Sequence, residues 1–236
     1  MKWAAYFSKA NEKLRKTARM LRDNGHERTT IVSFNLPAFL SDHGFKVCTY
    51  AGICAKFCYA RSGHFLFPGA KRVRHANLEM LRILVPQGVA AVTDWLCTGI
   101  DSLSRYANII RVHDSGDFCS GNFDRIYMDA WYNVAREYPD RRFYAYTKEL
   151  LLLPFENKPE NFSIVQSIGG KLDHMIDFDR PHSRIFPSDE AREYAGYEDA
   201  HSSDIPAIFG ATRVGLVEHG SDQIRFTKAQ RAILAA

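Results

Sequence analysis

The chain has 236 residues, of which 46% are hydrophobic and 25% charged, and its net charge is +4. This is ordinary for a soluble globular protein with one sizeable core or two small domains. It excludes a membrane span, because the longest apolar stretch, ILVPQGVAAVTDWLC, is broken by Pro86, Gln87, Gly88 and Asp94.

The amino terminus, MKWAAYFSKANEKLRK, has no apolar core followed by a small-residue cleavage site, so no signal peptide is read and a cytoplasmic location is expected. Residues 4–23 read as a helix stopped by Asn24-Gly25. Phe7, Ala10, Leu14, Ala18 and Leu21 fall on one side of it. Lys9, Lys13, Arg15, Lys16, Arg19 and Arg22 stand against the single acid Glu12. Such a face is either a solvated surface or a weak signal for a nucleic-acid partner.

TTIVSFNLPAF (29–39) is β-branched and aromatic and reads as a strand ended by Pro37. A loop over residues 47–63 follows. Residues 70–85 read as a helix, Pro86 ends it, and QGVAAVTDWLCTGIDSL reads as the next one. ANIIRVHDSGDF gives a strand over 108–112 running into a polar turn. Residues 122–139 read as a helix, and 141–150 and 161–172 as strands, the last closing on Gly169-Gly170. The segment 173–203 reads as irregular or partly helical. DIPAIFG and VGLVEHG read as two short strands.

Alternating strands and helices predict a single α/β domain over 1–236. In this reading a basic helix (1–25) precedes a partial (β/α) barrel or open sheet (26–236) whose strands are mainly parallel. In such folds chemistry gathers where the strands end. The cysteine loop, HDSGDF, Thr147-Lys148 and SIGGK all fall at those points.

The loop reads VCTYAGICAKFCYARSG. Three of the five cysteines in the chain, Cys48, Cys54 and Cys58, occupy it with C-x5-C-x3-C spacing. An odd number of cysteines in a reducing compartment argues against a disulfide framework. Three thiolates with Gly52 between the first two suit an iron–sulfur cluster, shielded by Tyr50, Phe57 and Tyr59. Zinc would need a fourth ligand, for which His43, His64, His113, Cys97 and Cys119 are the candidates. Three metal-free thiols are the remaining alternative. Cys97 and Cys119 read as ordinary cysteines.

CTYAGICAKFCYARSG, RVHDSGDF and RFYAYTKEL together resemble the phage gene product 88 domain family. The three-cysteine loop after the first strand, with an aromatic before its last cysteine, also resembles the radical S-adenosylmethionine enzymes. The resemblance implies a [4Fe–4S] cluster on Cys48, Cys54 and Cys58. One iron would be open to a small molecule, S-adenosylmethionine, whose cleavage would drive radical modification of a substrate. It further implies a phage protein working in the host cytoplasm. The usual enzyme spacing is C-x3-C-x2-C and a Gly-Gly-Glu segment follows the second strand; this chain has a longer loop, and HDSGDF stands in the place of that segment. The role of holding the small molecule is therefore assigned to His113, Asp114, Ser115, Gly116 and Asp117, with Lys148 and Gln166 at the rim beside Ser167 and Gly169-Gly170. A strand-to-helix turn explains the same five residues structurally. The competing function is a non-catalytic iron–sulfur protein, either a redox sensor or a nucleic-acid-associated factor, and the third is a zinc-stabilised module.

Overall fold

The computed structural model describes residues 4–217 except 10, 57, 62 and 154. Ala10, Phe57 and the side chain of His64, named above, lie outside the described residues, as does the chain beyond Val217. The elements, in chain order, are β1 (Phe7–Lys9), α1 (Glu12–Asp23), β2 (Ile31–Phe34), α2 (Pro68–Leu84), α3 (Val89–Asp101) and β3 (Ile109–Val112). There follow α4 (Ser120–Phe123), α5 (Ile126–Glu137), β4 (Arg142–Thr147), β5 (Phe162–Ser167) and β6 (His182–Phe186). The last are α6 (Asp189–Tyr194), β7 (Glu198–Asp199), α7 (Ile205–Ile208) and β8 (Arg213–Val217).

The strands form one sheet in the order β1-β2-β3-β4-β5-β6-β8-β7. Among the described strands, only β1 runs antiparallel to its neighbour, and the other strand pairs are parallel. The expected mainly parallel α/β sheet is therefore present, and it is open, with β1 and β7 at its edges.

Alternate residues of each strand point to opposite faces. One face carries Phe34, Ile110, Val112, Phe143 and Ile164 against α2, α3 and α5. Its centre is aromatic: the rings of Phe34 and Trp131 lie 5.3 Å apart and those of Phe34 and Trp95 5.8 Å apart, both near edge-on. The other face carries Ile31, Ile109, Tyr144, Val165 and Val214, covered by Leu14, Ala18 and Leu21 of α1 and by Ala207 and Ile208 of α7.

The helix expected from residue 4 begins at Glu12. Asn77 of α2 takes the backbone of Tyr6 on both sides, accepting from its N–H at 3.0 Å and donating to its carbonyl at 2.9 Å. That leaves Phe7–Lys9 extended along β2, with Phe7 opposite Phe34. Asn11 then caps α1, its side chain accepting from Leu14 N at 2.9 Å. Two further expectations are corrected. DIPAIFG is not a strand but the short helix α7, with Pro206 in its first turn, where the missing N–H costs nothing. The segment expected to be irregular or partly helical does contain the helix α6, but it also contributes the strands β6 and β7. Its strands are short and carry His182, Arg184, Glu198 and Asp199, so no apolar run marks them.

Candidate functional site

The parallel strands place the loops after β2, β3, β4 and β5 at one end of the sheet, and these loops pack on one another. The cysteine loop is held at its start by Phe39, whose carbonyl accepts from Val47 N at 2.8 Å and Cys48 N at 3.3 Å. The amide of Phe39 donates back to Cys48 Sγ at 3.4 Å. Phe39 adopts φ 62, a left-handed conformation costly for an aromatic residue.

Further on, the loop docks onto the turn after β5. Ala51 forms an antiparallel bridge with Gly170, and Lys171 N donates to the Tyr50 carbonyl at 2.9 Å. A Cβ on Gly52 would stand 2.8 Å from the Gly169 carbonyl oxygen and from the Gly170 backbone. Glycine is thus required there for close backbone approach, beyond the freedom to turn that its place between two cysteines suggested.

Two of the three thiols, Cys48 and Cys58, are shifted by their surroundings. Burial pushes Cys48 well above its ordinary pKa, and the charge of Asp117 and the neighbouring Cys58 and Cys54 add to that. Cys58 is likewise raised by burial and by Cys54, against the opposing pull of the Ala60 amide, Arg61 and Lys148. Cys48 and Cys58 therefore favour the protonated thiol unless something cationic ionises them, as a bound metal centre does.

Among the described residues, no group of three or more His, Cys, Asp or Glu side chains is placed to hold a single metal ion. Of the fourth-ligand candidates, His43 is exposed, Cys119 is buried, and Cys97 lies on α3. Cys48, Cys54 and Cys58 share one loop but are not gathered into such a group.

HDSGDF lies against the cysteine loop as expected, but most of its side chains are engaged within the protein. His113 (φ 69) turns into the aromatic core between Phe34, Phe118 and Tyr127, with Nε2 2.8 Å from the Tyr127 hydroxyl. Burial, with Arg111 adding to it, pushes its pKa down to about 3, so the imidazole is neutral. Ser115 donates to the Leu36 carbonyl at 2.7 Å. Gly116 takes φ 92, where a Cβ would meet that of Leu36 at 2.7 Å. Asp117 accepts from the Thr147 hydroxyl at 2.6 Å, Lys148 N at 3.0 Å and its neighbour Phe118 N at 2.9 Å. Asp114 accepts from Asn11 at 2.9 Å and lies 3.2 Å from Arg111.

At the rim, Lys148 Nζ donates to Ser167 Oγ at 2.6 Å, and its stem packs on Gly170. Lys148 also lies close enough to Cys58 to oppose the rise in its pKa, so it does face the cysteine loop. Gln166 does not. Its amide donates to the Asp177 carbonyl at 2.8 Å and accepts from Asp177 N at 2.9 Å, which fixes the loop before β6. The amides of Gly169 and Gly170 are both taken by Asp173, at 2.9 and 2.8 Å, so they form no open anion cradle.

Two further groups of side chains escaped the sequence reading. Arg111, on β3, lies 3.0 Å from Asp204 and 3.2 Å from Asp114, and Lys13 meets Asp204 at 2.6 Å. Tyr144 donates to the same Asp204 carboxylate at 2.9 Å. The rings of Tyr144 and Tyr146 lie within 6.0 and 5.5 Å of the Arg111 guanidinium. Lys13 therefore serves a buried ion pair, while Arg15, Lys16 and Arg19 stay exposed. The signal was an arginine interrupting the apolar run NIIRV. Tyr59, next to Cys58, reaches this network: its hydroxyl donates to the Asp114 carbonyl at 2.6 Å. The second group is Glu149, fully buried. Its carboxyl is pushed up to about 8 by burial and by Asp117, and it accepts from Ser120 and from Thr49 N.

No helix among the described residues is long and apolar enough to cross a membrane. A sequence model of the family described as Gene product 88 matches residues 5–233. A Gene 88 protein of Mycobacterium phage L5 is 27% identical over 155 residues, covering 59% of this chain and 62% of its own length. A Gene 88 protein of Mycobacterium phage D29 is 26% identical over the same shares. The matched region thus spans less than two thirds of either relative. No solved structure matches the chain.

Proposed function

The chain belongs to the Gene product 88 family, and from its site we propose that it is an iron–sulfur protein. Cys48, Cys54 and Cys58 would hold a [4Fe–4S] cluster, with the uncovered iron open to a small molecule. The single observation that carries this reading is the placement of three cysteines on one loop that Gly52 seats against the β5 turn. They lie on one glycine-anchored loop, with Cys48 raised by both of the others and Cys58 by Cys54. When bound, the cluster supplies one-electron chemistry at the open iron.

The chain's own residues do the rest. Phe39 N donates to Cys48 Sγ, a contact that stabilises a thiolate. Gly52 lets the loop seat on the β5 turn. Lys148, held by Ser167, offers a positive group beside Cys58 that suits the carboxylate of S-adenosylmethionine, the small molecule proposed for the open iron. A radical S-adenosylmethionine reaction on a partial-barrel scaffold is the enzymatic form of this proposal. One observation favours the non-catalytic form, a redox-responsive iron–sulfur protein: His113, Ser115, Asp117 and Gln166 are all engaged internally, leaving few groups to orient a substrate.

Anaerobic incubation of the cluster-loaded protein with reductant and S-adenosylmethionine separates the two. Formation of 5′-deoxyadenosine supports the enzyme. A cluster whose spectrum S-adenosylmethionine does not change supports the redox protein.

A further inference from the structure

The end of the sheet opposite the cysteine loop carries a second surface. Because the strands run parallel, the segments that lead into β2, β3 and β4 meet there. Thr30 N donates to the Tyr106 carbonyl at 2.8 Å, and Arg142 N to the Asn108 carbonyl at 2.8 Å, so the three segments are held edge to edge.

Planar cations alternate with rings along this edge. Arg28 and Arg105 both donate to the Tyr106 hydroxyl, at 3.2 and 2.8 Å, and their guanidiniums lie 5.6 and 4.9 Å from the centre of its ring. One strand along, the Arg142 guanidinium lies 4.8 Å from the centre of the Phe209 ring, which His26 meets at 5.7 Å. Phe209 is 45% exposed.

Arg28, Arg105 and Arg142 are exposed, and none makes an ion pair among the described residues. Arg82, Arg125, Arg180 and Arg192, by contrast, each hold a carboxylate. Glu27 and Asp140, the acids on the same segments, enter no ion pair either among the described residues. Arg28 moreover adopts φ 58, a left-handed conformation that glycine or asparagine takes more easily, so an arginine stands here against local backbone preference.

Phosphate contact alone needs only charge, which lysine supplies. A guanidinium is also flat: it lies on a ring with one side, offers the other to a base, and donates from its edge to phosphate oxygens. Cations interleaved with rings suit the backbone and bases of a single strand. A duplex is read by a helix or ribbon laid in a groove, whereas strand starts and turns form this edge. We infer that this edge binds single-stranded nucleic acid, with phosphates on Arg28, Arg105 and Arg142 and bases stacked on their planes and on Phe209. The assignment uses no residue of the basic face of α1 and is independent of any cluster on the cysteine loop.

The test is fluorescence anisotropy of the full chain with labelled oligo(dT) and oligo(U) of about twelve nucleotides, and with a duplex of the same length, at about 50 and 200 mM salt. At least one single strand is expected to saturate the protein with a Kd below about 100 µM at the lower salt, and to bind more tightly than the duplex. Three phosphate contacts on a single strand predict a loss of roughly twentyfold at the higher salt. Arg105→Ala and Arg142→Ala should each stay folded and weaken the strand by about fivefold or more. Arg105→Lys keeps the charge and loses the plane, and should weaken it by about threefold. Arg125→Ala, before α5 at the other end of the sheet, should bind as the parent does. No saturation by either strand at the lower salt overturns the proposal. So does tighter binding of the duplex, affinity indifferent to salt, full affinity in folded Arg105→Ala and Arg142→Ala or in Arg105→Lys, or an equal loss in Arg125→Ala.

Discussion

The hydroxyl of Tyr59 donates to the backbone carbonyl of Asp114 at 2.6 Å, tying the residue after Cys58 to the turn after β3. The same turn carries the Asp114 carboxylate that meets Arg111. The cysteine loop is thereby anchored to the buried ionic network of the sheet at one end and to the β5 turn at the other.

Tyr59→Phe removes that anchor and leaves the ring. The expected loss of stability is about 1 kcal/mol, the usual net worth of one such hydrogen bond. Denaturant unfolding reads it. Iron retention after gel filtration should fall in the same variant, since the third cysteine is then less firmly placed.

Gly52→Ala puts a methyl group 2.8 Å from the backbone of Gly169 and Gly170, where neither neighbour is a flexible side chain. The loop must lift from the β5 turn. Iron content is expected to drop well below that of the parent protein while the far-UV circular dichroism stays the same. Full iron content in Gly52→Ala would show that the docking of loop on turn is dispensable.

Much of this frame was legible in the sequence. The strand-helix order predicted a mainly parallel α/β sheet, and the polar turns after β2, β3, β4 and β5 do gather at one end, because parallel strands leave them no other place. The roles of individual side chains were less legible. His113, Ser115 and Gln166 looked like ligand-binding residues, yet they fill hydrogen-bonding needs of the core with partners 11 to 79 positions away. Asp204 and Lys13 lie far apart in the chain, so nothing local announced their pairing. Glu149 stood unnoticed beside Lys148, because only burial makes its carboxyl unusual.

Asp204, itself fully buried, accepts from Arg111 and Tyr144 and meets Lys13. Asp204→Ala leaves Arg111 short of its partner, and a loss of about 3–5 kcal/mol is expected. The sign with pH follows from the direction of the shift. Burial raises the carboxyl, but Arg111 and Lys13 more than offset that and hold it below the ordinary 3.8. Its contribution is therefore complete above pH 3.8 and is lost as pH falls through the lower folded value. Acid titration of the wild type should show that loss, and Asp204→Ala should lack it.

His113 works at higher pH. Its folded pKa is pushed down to about 3 from the ordinary 6.5, so the unfolded chain takes up a proton below pH 6.5 that the folded chain refuses. Stability should fall as pH drops from 6.5 toward 3, by about 1.4 kcal/mol per unit from this one group. His113→Gln should flatten that part of the stability profile, measured by denaturant midpoints at a series of pH values. An unchanged slope in a folded variant would show that the imidazole protonates in place.

The most direct measurement of the central claim is the iron and sulfide content of the anaerobically purified protein, beside that of Cys54→Ala. About four irons and four sulfides per chain are expected for the parent, and a near-complete loss for Cys54→Ala. A parent protein that is colourless and holds zinc or no metal, or a Cys54→Ala variant with its full complement of iron, would contradict the account.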